Sequence, residues 1–273
     1  MLTDAAALLR DPNLTAVAAF NVITLEFAEG IVLGAERAGL PALLSISHNA
    51  VRFHGGIAPI AAGCRELAAA ASVPIGLHLD HCEDGALVLE SARLGFGSAM
   101  FDASTLPYDE NVAETERVTR LAHELGLFIE AELGEIGGKD GAHAPGVRTD
   151  PADAAAFVAA TNVDALAVAV GTSHAMSERT AVPDADLISR LRSAVAVPLV
   201  LHGSSGVADD AIRAAVAAGI RKVNVGTQLS AAYSEALASG LASRTGADPR
   251  AALSAARESI AASVERLLGV ISR

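Results

Sequence analysis

Eight short, nearly unbroken apolar runs are spaced along the 273 residues, and longer Ala-rich segments of helical character fill the gaps between them. The runs lie at 16–21, 42–47, 75–80, 98–102, 128–133, 165–170, 198–202 and 222–225. A strand that is apolar on both sides belongs in a parallel sheet whose two faces are covered. The segments at 26–38, 83–94, 111–125 and 151–161 read as the covering helices. Gly39, Gly95, Gly126 and Gly219 stand where those segments give way to the next strand, the place for a left-handed helix terminus. Asp150-Pro151 reads as an N-cap followed by proline in the first turn. Eight βα units in a chain of this length fit an α/β fold of one kind, a single (β/α)8 TIM barrel spanning 1–273. An open doubly wound sheet would carry a glycine-rich fingerprint after its first strand, and FNVITLE stands there instead.

Beyond the eighth unit, Leu253, Ile260, Val264, Leu267 and Ile271 recur at helical spacing, which predicts a C-terminal helical extension over about 248–273. Its apolar face fits either the barrel or a second subunit. Just over half of the residues are apolar (51%) and there is no Trp, so Ala, Val, Leu and Ile must fill the core. The net charge of −12, with no Lys/Arg-rich run, excludes a nucleic-acid partner. No apolar stretch is long enough to span a membrane, and the first residues lack the layout of a signal peptide, so a cytoplasmic protein is expected. Cys64 and Cys82 form no disulfide framework and are expected as buried thiols.

In a parallel barrel all strand C-termini open onto one face, where residues distant in sequence meet. Three of the eight histidines fall just past a strand: His81 after the third, His174 after the sixth and His202 at the end of the seventh. Three imidazoles with an open position make a catalytic zinc site. His78 lies inside the third strand and is expected to point into the barrel as a partner of such a site. Asp80, Asp102, Glu130 and Glu132 cluster at the same end, where a carboxylate can ligate metal, orient a histidine or move protons. Gly203-Ser204-Ser205-Gly206 and Asn224-Val225-Gly226-Thr227 follow the last two strands, the usual phosphate-binding place of this fold. Residues 134–149 form a long, polar, Gly-rich loop of the kind that closes over substrates. The chain has two lysines. Lys139 is in that loop, and Lys222 opens the eighth strand at the end of the barrel away from the site. Neither suits a Schiff base, which needs a buried lysine of lowered pKa, so a metal route is favoured.

In order along the chain, AAFN (18–21), HLDH (78–81), MFDAS (100–104), AELGEIGG (131–138), VGTSH (170–174), LHGSSG (201–206), KVNVGT (222–227) and DPR (248–250) resemble the class II fructose/tagatose-bisphosphate aldolases. The resemblance implies that His81, His174 and His202 bind one zinc ion and that Glu132 can join the metal as the ion shifts. Asp80 would be the acid/base at the substrate's C4 hydroxyl. Asn21 and Asp102 match pocket positions, and Gly203, Ser205, Asn224, Gly226 and Thr227 match the region that holds the dihydroxyacetone-phosphate end. A monovalent cation near that phosphate and a homodimer or homotetramer are further implications. Three positions depart from the family pattern. Arg179 stands in for the usual lysine as phosphate partner, Asp140 for the loop glutamate that manages the enolate proton, and His48 for a small or acidic residue.

The reading is therefore retro-aldol cleavage of a phosphorylated ketose, a fructose or tagatose 1,6-bisphosphate, to dihydroxyacetone phosphate and an aldehyde. A different phosphorylated sugar or sugar acid is the nearest alternative. A metal hydrolase on the same barrel is another, although such sites commonly hold a His-x-His pair and residues 78–81 do not. A sugar-phosphate-binding protein without turnover is the third.

Overall fold

Eight parallel strands, β1 (Val17–Asn21), β2 (Ala42–Ser47), β3 (Ile75–Cys82), β4 (Ser98–Phe101), β5 (Phe128–Glu132), β6 (Ala165–Ala167), β7 (Leu199–Leu201) and β8 (Ile220–Val225), pair in sequence order. β8 then pairs with β1, with Val17 opposite Lys222 and Phe20 opposite Val225, so the sheet closes. The computed structural model describes residues 1–133, 148–172, 179–243 and 246–272. Among these, the helices are α1 (Ala5–Arg10), α2 (Leu25–Ala38), α3 (His48–His54), α4 (Ala58–Ala70), α5 (Gly85–Arg93), α6 (Tyr108–Glu124), α7 (Pro151–Thr161), α8 (Ala185–Ala194), α9 (Asp209–Ala218), α10 (Thr227–Ser243) and α11 (Arg250–Ile271). The expected barrel is thus present, and closure excludes the open sheet.

Strand alternation separates two apolar layers. Ala18, Phe20, Leu44, Ile46, Leu77, Leu79, Ile129 and Val223 face outward and pack beneath the helices, with Phe27, Ile31, Val88 and Phe157 among their neighbours. Val17, Ala19, Leu43, Met100, Phe128, Ala165, Ala167 and Val200 face inward and join Ala5, Leu8 and Leu9 in a separate cluster. α1, six residues long and not anticipated from the sequence, therefore plugs the N-terminal end of the barrel. Asp4 caps it, accepting from the Ala6 N–H at 3.0 Å.

The helix signals sit where the residues predicted. Gly39 ends α2 with φ 65° and ψ 29°, the left-handed conformation that a Cβ disfavours. Asp150 caps α7 through the Ala152 and Asp153 N–H groups, with Pro151 in the first turn. α11 docks on the barrel, which settles the choice left open by its apolar face. Ile260, Ala261, Val264, Leu267 and Leu268 are buried. A Cβ added to Gly30 of α2 would lie 2.7 Å from Ile260 Cβ, and one added to Gly34 would lie 2.5 Å from the Ala261 carbonyl oxygen. Gly240 of α10 meets Ala252 in the same way, at 2.9 Å from its Cβ. The three helices approach at distances that only glycine allows.

The polar strand residues face inward and lie above the apolar plug. Ser45 pairs with His78, His78 with Ser98, Met100 with Glu130, and Val200 with Lys222. The expected place of Lys222 is corrected here. β8 begins two residues earlier, at Ile220, so Lys222 is inside the strand rather than at its outer end. Its side chain is fully buried and reaches His78 of β3 and Glu130 of β5, strands that do not neighbour β8. It crosses the barrel interior, one inward position below Asn224.

Candidate active site

Asp80 and His81 are adjacent, and regular alternation would send them to opposite faces of β3. The register of β3 against β4 shifts between Leu79 and Cys82, and His81 has φ 46°. A positive φ at a non-glycine residue is strained, of order 1–3 kcal/mol, and such bulges re-aim side chains. Here the bulge turns the His81 imidazole toward the mouth of the barrel beside the Asp80 carboxylate. Ligand atoms of Asp80, His81 and His202 all lie within 4.8 Å of one another, as do those of His81, Asp102 and Glu132.

The tautomers of the two imidazoles follow from their outer partners. His81 Nδ1 lies 2.8 Å from Asp102 Oδ2, and His202 Nε2 lies 2.9 Å from Glu130 Oε1. Carboxylates accept, so these nitrogens carry the protons and donate. The remaining nitrogens, His81 Nε2 and His202 Nδ1, are 3.0 Å apart. Two neutral imidazoles so held turn their lone pairs toward each other, an arrangement that a cation between them relieves. A carboxylate behind the ligand histidine is also the usual support of a metal-bound imidazole. The donor set of nitrogen and oxygen therefore fits a divalent metal ion.

Asp80 is buried, and both of its oxygens are held. Asn224 Nδ2 donates to Oδ1 at 3.0 Å and Asn21 Nδ2 donates to Oδ2 at 3.3 Å. Burial pushes its carboxyl up, but the surrounding cationic groups, the histidines whenever they carry a second proton and Lys222 throughout, outweigh burial and hold it below the usual carboxylate range. Asp80 is therefore an ionised base. His78 lies one inward position lower on β3. Burial first, and then the Lys222 charge, keep it neutral well below the ordinary histidine range. It donates from Nδ1 to Ser98 Oγ at 2.7 Å and accepts from Lys222 Nζ at Nε2 over 2.9 Å.

A cavity of about 400 Å³ opens above these groups, a volume suited to a small molecule. Among the described residues it is lined by Asn21, Asp80, His81 and His202 and by Gly203, Ser205, Asn224, Gly226 and Thr227. Gly203 is left-handed, with φ 69° and ψ 21°, and turns the chain into a 3-10 turn at Ser204–Gly206. Ser205 Oγ accepts from the Gln228 N–H at 3.1 Å, which ties this turn to the start of α10. A Cβ on Gly226 would lie 3.3 Å from Asn21 Cγ, so glycine keeps the Asp80 support in place. The first turn of a 17-residue helix thus faces the cavity, with the positive end of its dipole toward any anion there.

The other sequence expectations divide. Asp102 is buried and serves His81, and it is not among the cavity-lining residues. Arg179 is likewise absent from the lining. Its guanidinium donates to the Val207 carbonyl at 2.9 Å from Nε and forms an ion pair with Asp209. It anchors the segment entering α9 rather than the cavity. His174 and Asp140 lie outside the described residues. Cys64 and Cys82 are buried thiols. Ser47, Asn49 and Glu83 line the cavity without having been singled out as its residues; His48, one of the three departures from the family pattern, lines it too, and its Nδ1 accepts from the Glu83 N–H at 3.3 Å. Among the described residues no helix is long and apolar enough to cross a membrane.

Comparison with known proteins agrees with this geometry. The "Probable fructose-bisphosphate aldolase" of Bacillus subtilis (strain 168) is 35% identical over 250 residues, covering 90% of this chain and 88% of that protein. The crystal structure of the YdjI aldolase from Escherichia coli K12 superposes with a TM-score of 0.87 at 30% identity, covering 99% of this chain and 97% of that one. A fructose-bisphosphate aldolase structure from Campylobacter jejuni, at 21% identity and a TM-score of 0.79, shares the fold, over 99% of this chain and 95% of its own. The family model "Fructose-bisphosphate aldolase class-II" matches residues 9–273. With the closed barrel, a cluster of side chains that could hold a metal ion and these relatives in agreement, the chain belongs to the class II fructose-bisphosphate aldolase family and is an aldolase, a carbon–carbon lyase.

Proposed function

We propose that this aldolase cleaves a ketose 1,6-bisphosphate of the fructose or tagatose type to dihydroxyacetone phosphate and an aldehyde. We propose zinc as its metal, held by His81, His202 and His174, with Glu132 as a further ligand. The observation that carries the reading is the convergence of His81 Nε2 and His202 Nδ1, 3.0 Å apart, beside the ionised Asp80 carboxylate. His174 has indirect support: Thr172, two residues before it, donates from Oγ1 to the His202 carbonyl at 2.7 Å.

A divalent ion at this place supplies a Lewis acid that withdraws electrons from the substrate ketone and lowers the cost of breaking the neighbouring carbon–carbon bond. Asp80 takes the proton of the C4 hydroxyl. As it leaves, the C4 oxygen forms the aldehyde carbonyl, and the C3–C4 bonding electrons pass into the dihydroxyacetone-phosphate half. Asn21 and Asn224 hold the Asp80 oxygens, so the base does not have to reorient during transfer. Asp140 is proposed to return a proton to C3. Gly203, Ser205, Gly226 and Thr227 would receive a phosphate at the start of α10, where backbone N–H groups and the helix dipole favour an anion.

Cleavage of fructose 1,6-bisphosphate and tagatose 1,6-bisphosphate, followed side by side by release of dihydroxyacetone phosphate, tests the proposal. Turnover of either sugar is expected, and the faster one fixes the C4 preference. Zinc-loaded protein inert toward both would contradict the substrate class and direct the search to other phosphorylated sugars or sugar acids.

A further inference from the structure

The metal-binding histidines rest on an ion pair deeper in the barrel. Lys222 Nζ donates to Glu130 Oε2 at 2.6 Å, and Glu130 Oε1 accepts from His202 Nε2 at 2.9 Å. Lys222, Glu130 and His202 have side-chain exposures of 0%, 1% and 1%, so no solvent competes for these bonds. On the other side, Lys222 donates to His78 Nε2, and His78 is fixed in turn by Ser98. The ammonium is thus held from two directions at the centre of the barrel, and it dictates which way the Glu130 carboxylate faces.

We propose that Lys222 is a positioning residue for the metal centre: by orienting Glu130, it fixes the His202 imidazole with Nε2 donating and the Nδ1 lone pair aimed at the ion. Without the ammonium, Glu130 loses its fixed partner and can rotate within the interior. His202 is then freed to turn about its Cβ–Cγ bond, or to exchange tautomers and present a protonated Nδ1. Supports of this kind contribute roughly 10–100-fold to metal affinity. Lys222 itself touches neither metal nor substrate; its hydrogen-bonded route to His202 runs through Glu130. The inference rests on the metal-centre reading above.

A double-mutant cycle on zinc affinity, measured by competition with a chromogenic chelator, tests it. The proteins are the full-length wild type, Lys222→Met, Glu130→Gln and the double variant, with the fold of each checked by circular dichroism. Each single variant is expected to bind zinc about 10–100-fold more weakly. The double variant should lose no more than the weaker single, because both changes remove the same support. Wild-type affinity in Lys222→Met, or losses that multiply in the double variant, would overturn the proposal. Should Lys222→Met fail to fold, the double variant, which leaves no uncompensated charge, is compared with Glu130→Gln. Equal affinity supports the proposal, and a further loss overturns it. Wild type that binds no zinc would instead sink the metal-centre reading itself.

Discussion

At the residue scale, the site depends on a conformation that the letters of the sequence do not display. His81 and Asp80 serve one site because a bulge places His81 at φ 46°. Among the described residues, His81, His202 and the strand-end acids were legible as a group, since all strand C-termini of a barrel share a face. The partners that orient them were less so. Asp102 reads as a pocket residue by resemblance but stands behind His81. A signal was nevertheless present: His78/Asp80, Glu130/Glu132 and Lys222/Asn224 are polar pairs two residues apart in largely apolar strands, and that spacing puts both members on the inward face. Two predictions belong here. Asp80→Asn keeps the shape and removes the base, so kcat should fall by about 10²–10⁴-fold while bound metal, measured by elemental analysis, is retained. Asp102→Ala should weaken metal binding by about 10–100-fold in a chelator titration, because His81 loses the acceptor that fixes its tautomer.

At the scale of elements, all eight strands were legible because parallel strands buried on both faces stand out as apolar runs. Their edges were not. β6 and β7 are shorter than their apolar runs, while β3 and β8 extend past theirs, and the two extra residues of β8 moved Lys222 from the barrel rim to its centre. α1 escaped notice because six residues carry too little periodicity. Arg179 was expected at the phosphate, yet its ion pair with Asp209 holds the entrance to α9, where Arg266 of α11 also bonds Asp209. Arg179→Ala should accordingly leave KM unchanged in steady-state kinetics. Burial works to raise the Asp209 carboxyl, but the two guanidiniums outweigh it and hold the group below its usual range. A depressed folded-state pKa contributes stability that is present above the unfolded value, near 3.9, and lost as pH falls through the folded one. Because the pair is partly exposed, Asp209→Asn should cost about 0.2–1 kcal/mol at pH 7. In urea unfolding, that difference should vanish once the pH is below both values.

For the whole molecule, α11 closes the outer layer against α2 and α10, and glycine makes this contact possible. A Cβ at Gly34 would meet the Ala261 oxygen at 2.5 Å and Val264 Cβ at 2.7 Å. Gly34→Val should therefore cost about 1–3 kcal/mol in urea unfolding through overpacking. The amphipathic pattern of this helix was legible, but its docking surface was not, since the α2 glycines that receive it, Gly30 and Gly34, lie some 230 positions earlier in the chain. The same division runs through the molecule: periodicity reveals faces, and only the closed fold shows which faces meet.

A metal ion between His81 and His202, with Asp80 beside it, is proposed to make this barrel an aldolase of ketose bisphosphates. The most direct test is to strip the protein with a chelator, add zinc back stepwise, and follow cleavage of fructose and tagatose 1,6-bisphosphate together with bound metal. Cleavage should be lost on stripping and return in proportion to zinc, saturating at one ion per chain. Cleavage that persists in metal-free protein, or that needs a second ion for each chain, would contradict it.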